Sequence, residues 1–301
     1  MRKDTDAMYR LGLYGSGIER IKLKKAIQTI ARMPGSQAKI VDIGHEGFEA
    51  ACEALELGSV DMAVVSMTEL IRMEKNDDDL PDGVVISGVL KREDPRLVMV
   101  RKRRTKDIVE NAVVVIDSEK CIERIVHMYD GISCIVEPDI RKCFEKLDSE
   151  ECDAVFTTLE DIKASKLHNR LLYRYTIMDY GECVPVHGQG IYAMLTKERK
   201  EAVRTARDIS HKSTAVCFEI EDDIINKVMQ NVYVKTCDVY AKINGDRLEI
   251  YADVTGNRGR VCVNEKGELA SKNVLTRKIV DRISTVSYTH LRAHETRHDL
   301  V

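Results

Sequence analysis

The stretch KTCDVYAKINGDRLEIYADV, residues 235–254, decides the fold of the C-terminal part of the chain. Apolar and polar residues alternate on both sides of Asn244-Gly245, and Asn-Gly between such runs is the strongest short signal for a β-hairpin. We therefore predict two antiparallel strands joined by a type I′ turn at Asn244-Gly245. Cys237 then stands at the start of the first strand, at the edge of a sheet. It is either a thiol held for covalent chemistry or a small half-buried side chain, the commoner role of free cysteine.

Composition narrows the class of protein. The chain has 301 residues, which suits two or three domains, and its 32% of charged residues give a net charge of only -3. No general affinity for nucleic acid or for a membrane surface is expected from such a balance. The nine cysteines form no CxxC pair and no metal-ligand spacing, so we expect no metal site and a reducing, cytoplasmic environment. No stretch approaches eighteen apolar residues, and the N-terminus has no apolar signal region.

Strands and helices alternate along the first two thirds of the chain. Successive βαβ units predict parallel sheets with helices on both faces, and this pattern restarts after the charge run Arg101 to Arg104. We therefore predict an α/β fold. Its first domain comprises residues 8–100 plus 191–210, its second residues 101–190, and a small α+β domain residues 211–285.

The extreme C-terminus breaks this pattern. Residues Val286 to Thr296 resemble a translated sequencing-library adapter, and the segment has no apolar periodicity. We expect residues 286–301 to be a non-native tail, the alternative being a natural histidine-rich tail.

Four blocks of sequence resemble one family in order and spacing. They are VDMAVVSMTEL (Val60 to Leu70), LPDGVVISGVLKREDPR (Leu80 to Arg96), VPVHGQG (Val184 to Gly190), and the segment from HKSTA (His211 to Ala215) through Cys237 and the hairpin. Together they make the chain similar to hydroxymethylbilane synthase, also called porphobilinogen deaminase.

The resemblance implies both a fold and an activity. It implies two α/β domains similar to type II periplasmic binding proteins, and a third domain whose cysteine, here Cys237, carries a thioether-linked dipyrromethane. The family joins four porphobilinogens head to tail and releases ammonia at each step. The implied partner is therefore this small-molecule substrate, and we expect a monomer.

The same resemblance assigns candidate site residues. The family's His-Ser-x-Lys-Asp falls on Val65 to Glu69, so Ser66 is kept and Glu69 stands where the catalytic Asp is expected. A carboxylate there would stabilise the cation that develops on the pyrrole after ammonia leaves. Ser118 matches the family's Ser-Ser-Leu-Arg-Arg segment, and Arg170 matches a cofactor-binding arginine.

Several family residues are replaced. Thr-Arg-x-Ser becomes Leu13-Tyr14-Gly15-Ser16, the paired arginines become Cys121 and Ile122, and a further arginine becomes Cys143. Because each pyrrole brings two carboxylates, these losses bear directly on turnover. Two alternatives follow. The chain could be a catalytically impaired paralogue that works as a two-domain small-molecule binding module, or the missing arginines could be sequence errors.

Overall fold

The structure is a computed structural model that describes residues 9–33, 38–45, 47–76, 79–105, 110–256 and 259–291. The side chains of Lys120, Lys200 and residues 286–291 lie outside this description. The chain divides into two compact units. The first comprises residues 1–94 and 188–215, and the second comprises residues 95–187 and 216–301.

The described residues form strands and helices in the following chain order. They are β1 (Tyr9–Leu13), α1 (Gly17–Ala31), β2 (Ala38–Asp42), α2 (Phe48–Glu56), β3 (Met62–Ser66), α3 (Met67–Lys75), β4 (Val84–Val89), β5 (Leu97–Lys102), β6 (Val113–Ile116), α4 (Ile122–Met128), β7 (Ser133–Val136), α5 (Ile140–Asp148), β8 (Ala154–Thr158), α6 (Leu159–Ser165), β9 (Tyr173–Ile177), β10 (Tyr192–Lys197), α7 (Lys200–Ile209), α8 (Lys212–Met229), β11 (Val234–Asn244), β12 (Arg247–Gly256), β13 (Gly259–Glu268) and α9 (Lys272–Leu291).

The sheet of the first unit has five strands in the order β2-β1-β3-β10-β4. Strand β1 pairs in parallel with β2 and β3, as the two βαβ patterns predict, whereas β10 runs antiparallel between β3 and β4. Met62 to Val65 of β3 are each at most 1% exposed. Such burial is expected for a central strand covered by helices on both faces.

The second unit repeats this arrangement. Its five-stranded sheet has the order β7-β6-β8-β5-β9, with β6 parallel to β7 and β8, and β5 antiparallel to β8 and β9. The two sheets therefore share one arrangement. Three parallel strands lie on one side, and an antiparallel strand lies between them and the edge strand on the other side. This confirms the predicted class, two α/β domains of the type II periplasmic-binding-protein kind.

A three-stranded antiparallel sheet, β11-β12-β13, completes the second unit. The predicted hairpin is confirmed, but its turn lies one residue later than expected. Asn244 pairs with Arg247, so the two loop residues are Gly245 and Asp246. Within the loop, Gly245 alone has a positive φ, 62°. A glycine at the first central position is the pattern of a type II′ turn, whereas type I′ needs positive φ at both central positions.

Helices α8 and α9 cover one face of this small sheet. Ile224, Leu275, Ile279 and Ile283 pack there with inward side chains of the strands in one apolar cluster. Helix α9 ends at Leu291, six residues beyond Thr285, and residues 292–301 of the expected non-native tail lie outside the description. No helix in the described part of the chain is both long and apolar enough to cross a membrane.

Candidate functional site

Glu69 lies in the first turn of α3, directly after the central strand β3 of the first unit. Its side chain is 13% exposed. The N-terminus of a helix favours a carboxylate because unpaired backbone N–H groups and the helix dipole point toward it. The carboxylate of Glu69 therefore lies at the C-terminal ends of the parallel strands of this sheet.

Tyr14 is the partner of Glu69. It follows β1, is fully buried, and its phenol donates a hydrogen bond to Oε2 of Glu69 at 3.2 Å. The strand register explains the encounter. Gly12 of β1 pairs with Ala63 of β3, so the residues after both strands emerge side by side. Sequence comparison treats Tyr14 only as a lost arginine. The structure shows that a neutral donor occupies this position.

The surroundings keep this carboxylate weakly acidic. Burial, and then the negative charge of Glu19, raise the pKa of Glu69, while the hydrogen bond from Tyr14 acts in the opposite direction. Arg72, one turn along α3, also lowers the pKa of Glu69. Its guanidinium is exposed and lies 3.9 Å from the carboxylate. Burial and the nearby Glu69 raise the pKa of Tyr14, so its phenol stays a protonated donor.

Ser66 ends β3, directly before α3, and its hydroxyl is already engaged. Its Oγ lies 2.8 Å from Oγ1 of Thr68, the residue that stands where the family has lysine. Ser66 makes no side-chain hydrogen bond to the helix N-terminus. The pair of hydroxyls thus replaces a hydroxyl and an ammonium group, and this end of the site carries less positive charge than the family pattern.

The Gly188-Gln189-Gly190 bend lies against the start of α3. Gly188 has a φ of +75°, and a Cβ on it would lie 2.7 Å from Cδ1 of Ile71 and 3.1 Å from Cγ of Met67. Glycine is required at such a position because both the conformation and the space exclude a side chain. The backbone N–H of Met67 donates to the carbonyl of Ile191 at 2.9 Å. The bend therefore holds α3, and with it Glu69, on the sheet.

Cys237 lies near the start of β11, an edge strand of the three-stranded sheet, and is buried. It is the fourth residue of β11, 8% exposed, and belongs to the apolar cluster beneath α8 and α9 together with Val239 and Ala241. These residues alternate along the strand and so share its helix-facing side. By contrast Cys262 is exposed on β13. The burial of Cys237 agrees with the alternative of a small packed side chain, and its role as cofactor anchor stays a prediction.

A dipyrromethane carries four carboxylates, and carboxylates buried without charged or hydrogen-bonding partners cost several kcal/mol or more. Cys237 packs in an apolar cluster. A group linked to this thiol would therefore have to extend out of the cluster.

The opposite face of β11 carries an ionic network. Asp238 pairs with the buried guanidinium of Arg124, which also donates to the carbonyl of Val184 and lies 3.5 Å from Oδ2 of Asp253. Arg260 forms two hydrogen bonds with the carboxylate of Asp253, each of 2.8 Å. Charges on the buried Asp253 are thus compensated from two sides. Arg124 is committed to this network.

Ser118 and Arg170 lie at opposite ends of the second sheet. Ser118 follows β6, at the end where Leu97 pairs with Thr158. Arg170 precedes β9, whose first residue pairs with Lys102 at the far end of β5. The six residues of β5 separate the two ends by about 17 Å, at roughly 3.3 Å per residue. The structure does not bring these two predicted contacts together.

The fold and this site define an α/β protein of the two-domain binding-protein class, with a buried carboxyl at the ends of parallel strands and a small third sheet. Residues 36–205 match the family model described as "Porphobilinogen deaminase, dipyromethane cofactor binding domain". The match covers more than half of the chain, and the chain therefore belongs to the porphobilinogen deaminase family. Members of this family are transferases of tetrapyrrole biosynthesis.

Individual relatives are distant. The porphobilinogen deaminase of Geobacillus kaustophilus is 28% identical over 58% of this chain and 53% of its own length. That of Pelotomaculum thermopropionicum is 25% identical over 75% of this chain and 71% of its own. Among solved structures, the second substrate binding domain of a putative amino acid ABC transporter from Streptococcus pneumoniae matches with a TM-score of 0.44. That match has 14% identity and covers 70% of this chain and 95% of the other. The strand order of the two sheets defines this fold.

Proposed function

We propose that the protein acts on porphobilinogen as a hydroxymethylbilane synthase, joining four porphobilinogens head to tail with release of ammonia. The observation that supports this most is Glu69, a carboxyl with a raised pKa inside the family-matched segment. The resemblance to the family's His-Ser-x-Lys-Asp motif assigns this position to the catalytic carboxylate. The names of the relatives point to the same substrate.

Glu69 would stabilise the positive charge that develops on the substrate ring. When the bond from the aminomethyl carbon to nitrogen breaks, ammonia leaves and the ring becomes a cation that shares its charge with the pyrrole N–H. A carboxylate beside that N–H stabilises the cation, and more strongly in a water-poor site than in solution. After the next ring attacks and a carbon–carbon bond forms, a proton must leave, and a carboxyl with a raised pKa is suited to accept it.

A second candidate is the binding module without turnover. It is favoured by the packing of Cys237 in an apolar cluster, because a chain without a linked primer has nothing to extend. The commitment of Arg124 to Asp238 and Asp253 points the same way, since that arginine is occupied by protein carboxylates. Attachment of a dipyrromethane at Cys237, with contacts from Ser66, Ser118 and Arg170, is a separate prediction that belongs to the first candidate alone.

One experiment separates the candidates. Purified protein is incubated with porphobilinogen, and substrate consumption and released ammonia are measured beside the intact mass of the chain. Consumption that Glu69→Gln abolishes supports the synthase, and a dipyrromethane-sized adduct absent from Cys237→Ala but present in Cys262→Ala supports the linked primer. Saturable binding of porphobilinogen without consumption, on a chain of unmodified mass, supports the binding module. Neither binding nor consumption would contradict both.

A further inference from the structure

Two neighbouring leucines are exposed in the connection between α6 and β9 of the second unit. The side chains of Leu171 and Leu172 are 84% and 56% exposed. Apolar side chains scattered singly over a surface are normal, whereas contiguous ones point to a partner. Both side chains project into solvent, so they form a protrusion and not a groove. We call them the leucine pair.

The backbone of the leucine pair is fixed by hydrogen bonds. The side-chain carbonyl of Asn169 accepts from the N–H groups of Leu171 at 3.0 Å and Leu172 at 3.4 Å. Arg103, in the loop after β5, donates from its backbone N–H to the carbonyl of Leu172 and from its guanidinium to that of Arg170, both at 2.8 Å. The leucine pair is therefore held outward before any partner arrives, which reduces the entropy lost on binding.

Three exposed arginines lie close to the leucine pair. Arg103 contacts its backbone, Arg104 follows in the same loop, and Arg174 lines one surface together with Arg103. The described residues place no carboxylate within 4 Å of these three guanidinium groups. This part of the surface therefore attracts anions.

Two carboxylates at this end of the second sheet have partners of their own. Both oxygens of Asp148 accept from the phenol of Tyr173, at 2.7 and 2.8 Å. Oε1 of Glu150 lies 2.9 Å from Nζ of Lys102, and Lys102 pairs with Tyr173 in the sheet. Neither acid pairs with an arginine beside the leucine pair, so the three guanidinium groups are available to an anionic partner.

The combination of arginines and leucines favours a lipid surface over other anionic partners. A bilayer with anionic phospholipids presents negative headgroups above hydrocarbon, and so matches both kinds of side chain at once. It also deforms around a protrusion, for which a rigid partner would need a fitting groove. The net charge of the whole chain is only -3, so the attraction is local to this surface.

We propose that the leucine pair inserts into the surface of membranes that contain anionic phospholipids, while Arg103, Arg104 and Arg174 bind the headgroups. The contact is peripheral and reversible, because two leucines bury little apolar area. It is independent of the proposed function, since it needs neither porphobilinogen nor a linked primer.

The test is flotation of the full chain with vesicles of phosphatidylcholine, either alone or with about one third of phosphatidylserine. The wild type should bind the anionic vesicles, and higher salt should weaken this binding. Leu171→Ser/Leu172→Ser should bind them at least about tenfold more weakly. The control Val232→Ser/Val274→Ser removes valines that are 85% and 56% exposed, and should bind within about twofold of the wild type.

A second pair of variants tests the charges. Arg104→Gln/Arg174→Gln should bind the anionic vesicles at least about tenfold more weakly, because each guanidinium adds attraction to the headgroups. Arg277→Gln/Lys278→Gln removes the same charge from exposed positions of α9 and should bind within about twofold of the wild type. Arg170 stays unchanged throughout, because the family resemblance assigns it to the cofactor. Melting temperatures equal to that of the wild type show that the variants fold.

Insertion itself can be followed by fluorescence. The chain contains no tryptophan, so an introduced one reports its own position. With anionic vesicles the emission of Leu171→Trp should shift to shorter wavelength and be quenched by brominated acyl chains, whereas that of Val232→Trp should change in neither way. Unchanged emission of Leu171→Trp would overturn the insertion.

Other outcomes would overturn the membrane contact as well. They are equal losses in the leucine and valine variants, equal binding of neutral and anionic vesicles by the wild type, and leucine-dependent self-association without vesicle binding, which would assign the leucine pair to a second copy of the chain. Leucine-dependent vesicle binding without consumption of porphobilinogen supports the contact and contradicts the synthase. Consumption without vesicle binding overturns the contact and leaves the synthase standing.

Discussion

The phenol of Tyr14 donates to Oε2 of Glu69 across 3.2 Å, although the two residues are 55 positions apart in the chain. In the family pattern an arginine and an aspartate stand at these two places. Here a neutral donor faces a longer carboxylate. The exchange removes a positive charge from the site but keeps a donor aimed at the acid, so that the protonation of Glu69 depends on Tyr14.

Tyr14→Phe should raise the pKa of Glu69 further. The hydrogen bond from the phenol stabilises the carboxylate, and its removal leaves burial and Glu19 to favour the protonated acid. Site-selective ¹³C NMR titration of the Glu69 carboxyl measures the change, and an active enzyme should show the acid limb of its pH-rate profile at higher pH. The control Tyr129→Phe removes a phenol that donates to Met99 in the other unit and should leave this titration unchanged. An unshifted Glu69 in Tyr14→Phe would refute the coupling.

Glu69→Gln should make the protein more stable at pH 7 even if it removes activity. The pKa of Glu69 is raised above its usual 4.5, so the folded state binds this proton more tightly than the unfolded state. The stability contributed by that proton is present below the unfolded pKa and is lost as pH rises through the folded pKa. Glutamine avoids that loss and still accepts from Tyr14. Its melting temperature should exceed that of the wild type at pH 7, and the difference should narrow toward pH 4.5. A variant less stable than the wild type at pH 7 would contradict this.

Arg124→Met should destabilise the second unit strongly. The substitution leaves Asp238 without the guanidinium it pairs with, and leaves the 2% exposed Asp253 with Arg260 as its ion-pair partner among the described residues. Breaking a buried pair on one side costs about 3–5 kcal/mol. Urea denaturation measures the free energy of unfolding. The control Arg282→Met breaks a half-exposed pair with Glu265 and should cost less than about 1 kcal/mol.

N-ethylmaleimide should distinguish two cysteines of the third sheet. Cys262 is exposed and Cys237 is buried, so the native protein should be labelled at Cys262, and at Cys237 only after denaturation. Peptide mass mapping at increasing urea gives the order. Labelling of Cys237 as fast as Cys262 in the native state would show that the thiol leaves the apolar cluster readily, and would favour the linked primer.

Local patterns in the sequence were sufficient for most elements. The βαβ periodicity gave the parallel strands, and Asn244-Gly245 gave the hairpin. The predicted turn type was wrong because only Gly245 of the two residues has a positive φ, whereas Asn244 pairs with Arg247 in the sheet. A dipeptide marks a turn well, but the strand register decides which of its residues pair.

The site was harder to read because its contacts are distant in sequence. No sequence pattern near Tyr14 predicts its contact with Glu69. The pairing of β1 with β3 brings the two residues together. The sequence does not predict which face of β11 Cys237 occupies, for a different reason. Both faces of β11 hold buried residues, Val239 on one and Tyr240 on the other, so polarity does not reveal which face meets the helices. The register with β12 and the packing of the two helices determine this face.

Cys237 and Asp238 are adjacent on β11, so the effect of an insertion before them depends on whether the number of added residues is odd or even. Neighbouring residues point to opposite faces, so one inserted residue before Cys237 would turn the thiol outward and carry the carboxylate of Asp238 among the aliphatic side chains beneath α8 and α9. Two inserted residues would restore both faces. Evolution can therefore lengthen this strand in even steps far more easily than in odd ones, and a thiol once turned inward here returns to the surface only at the expense of its neighbour's ion pair.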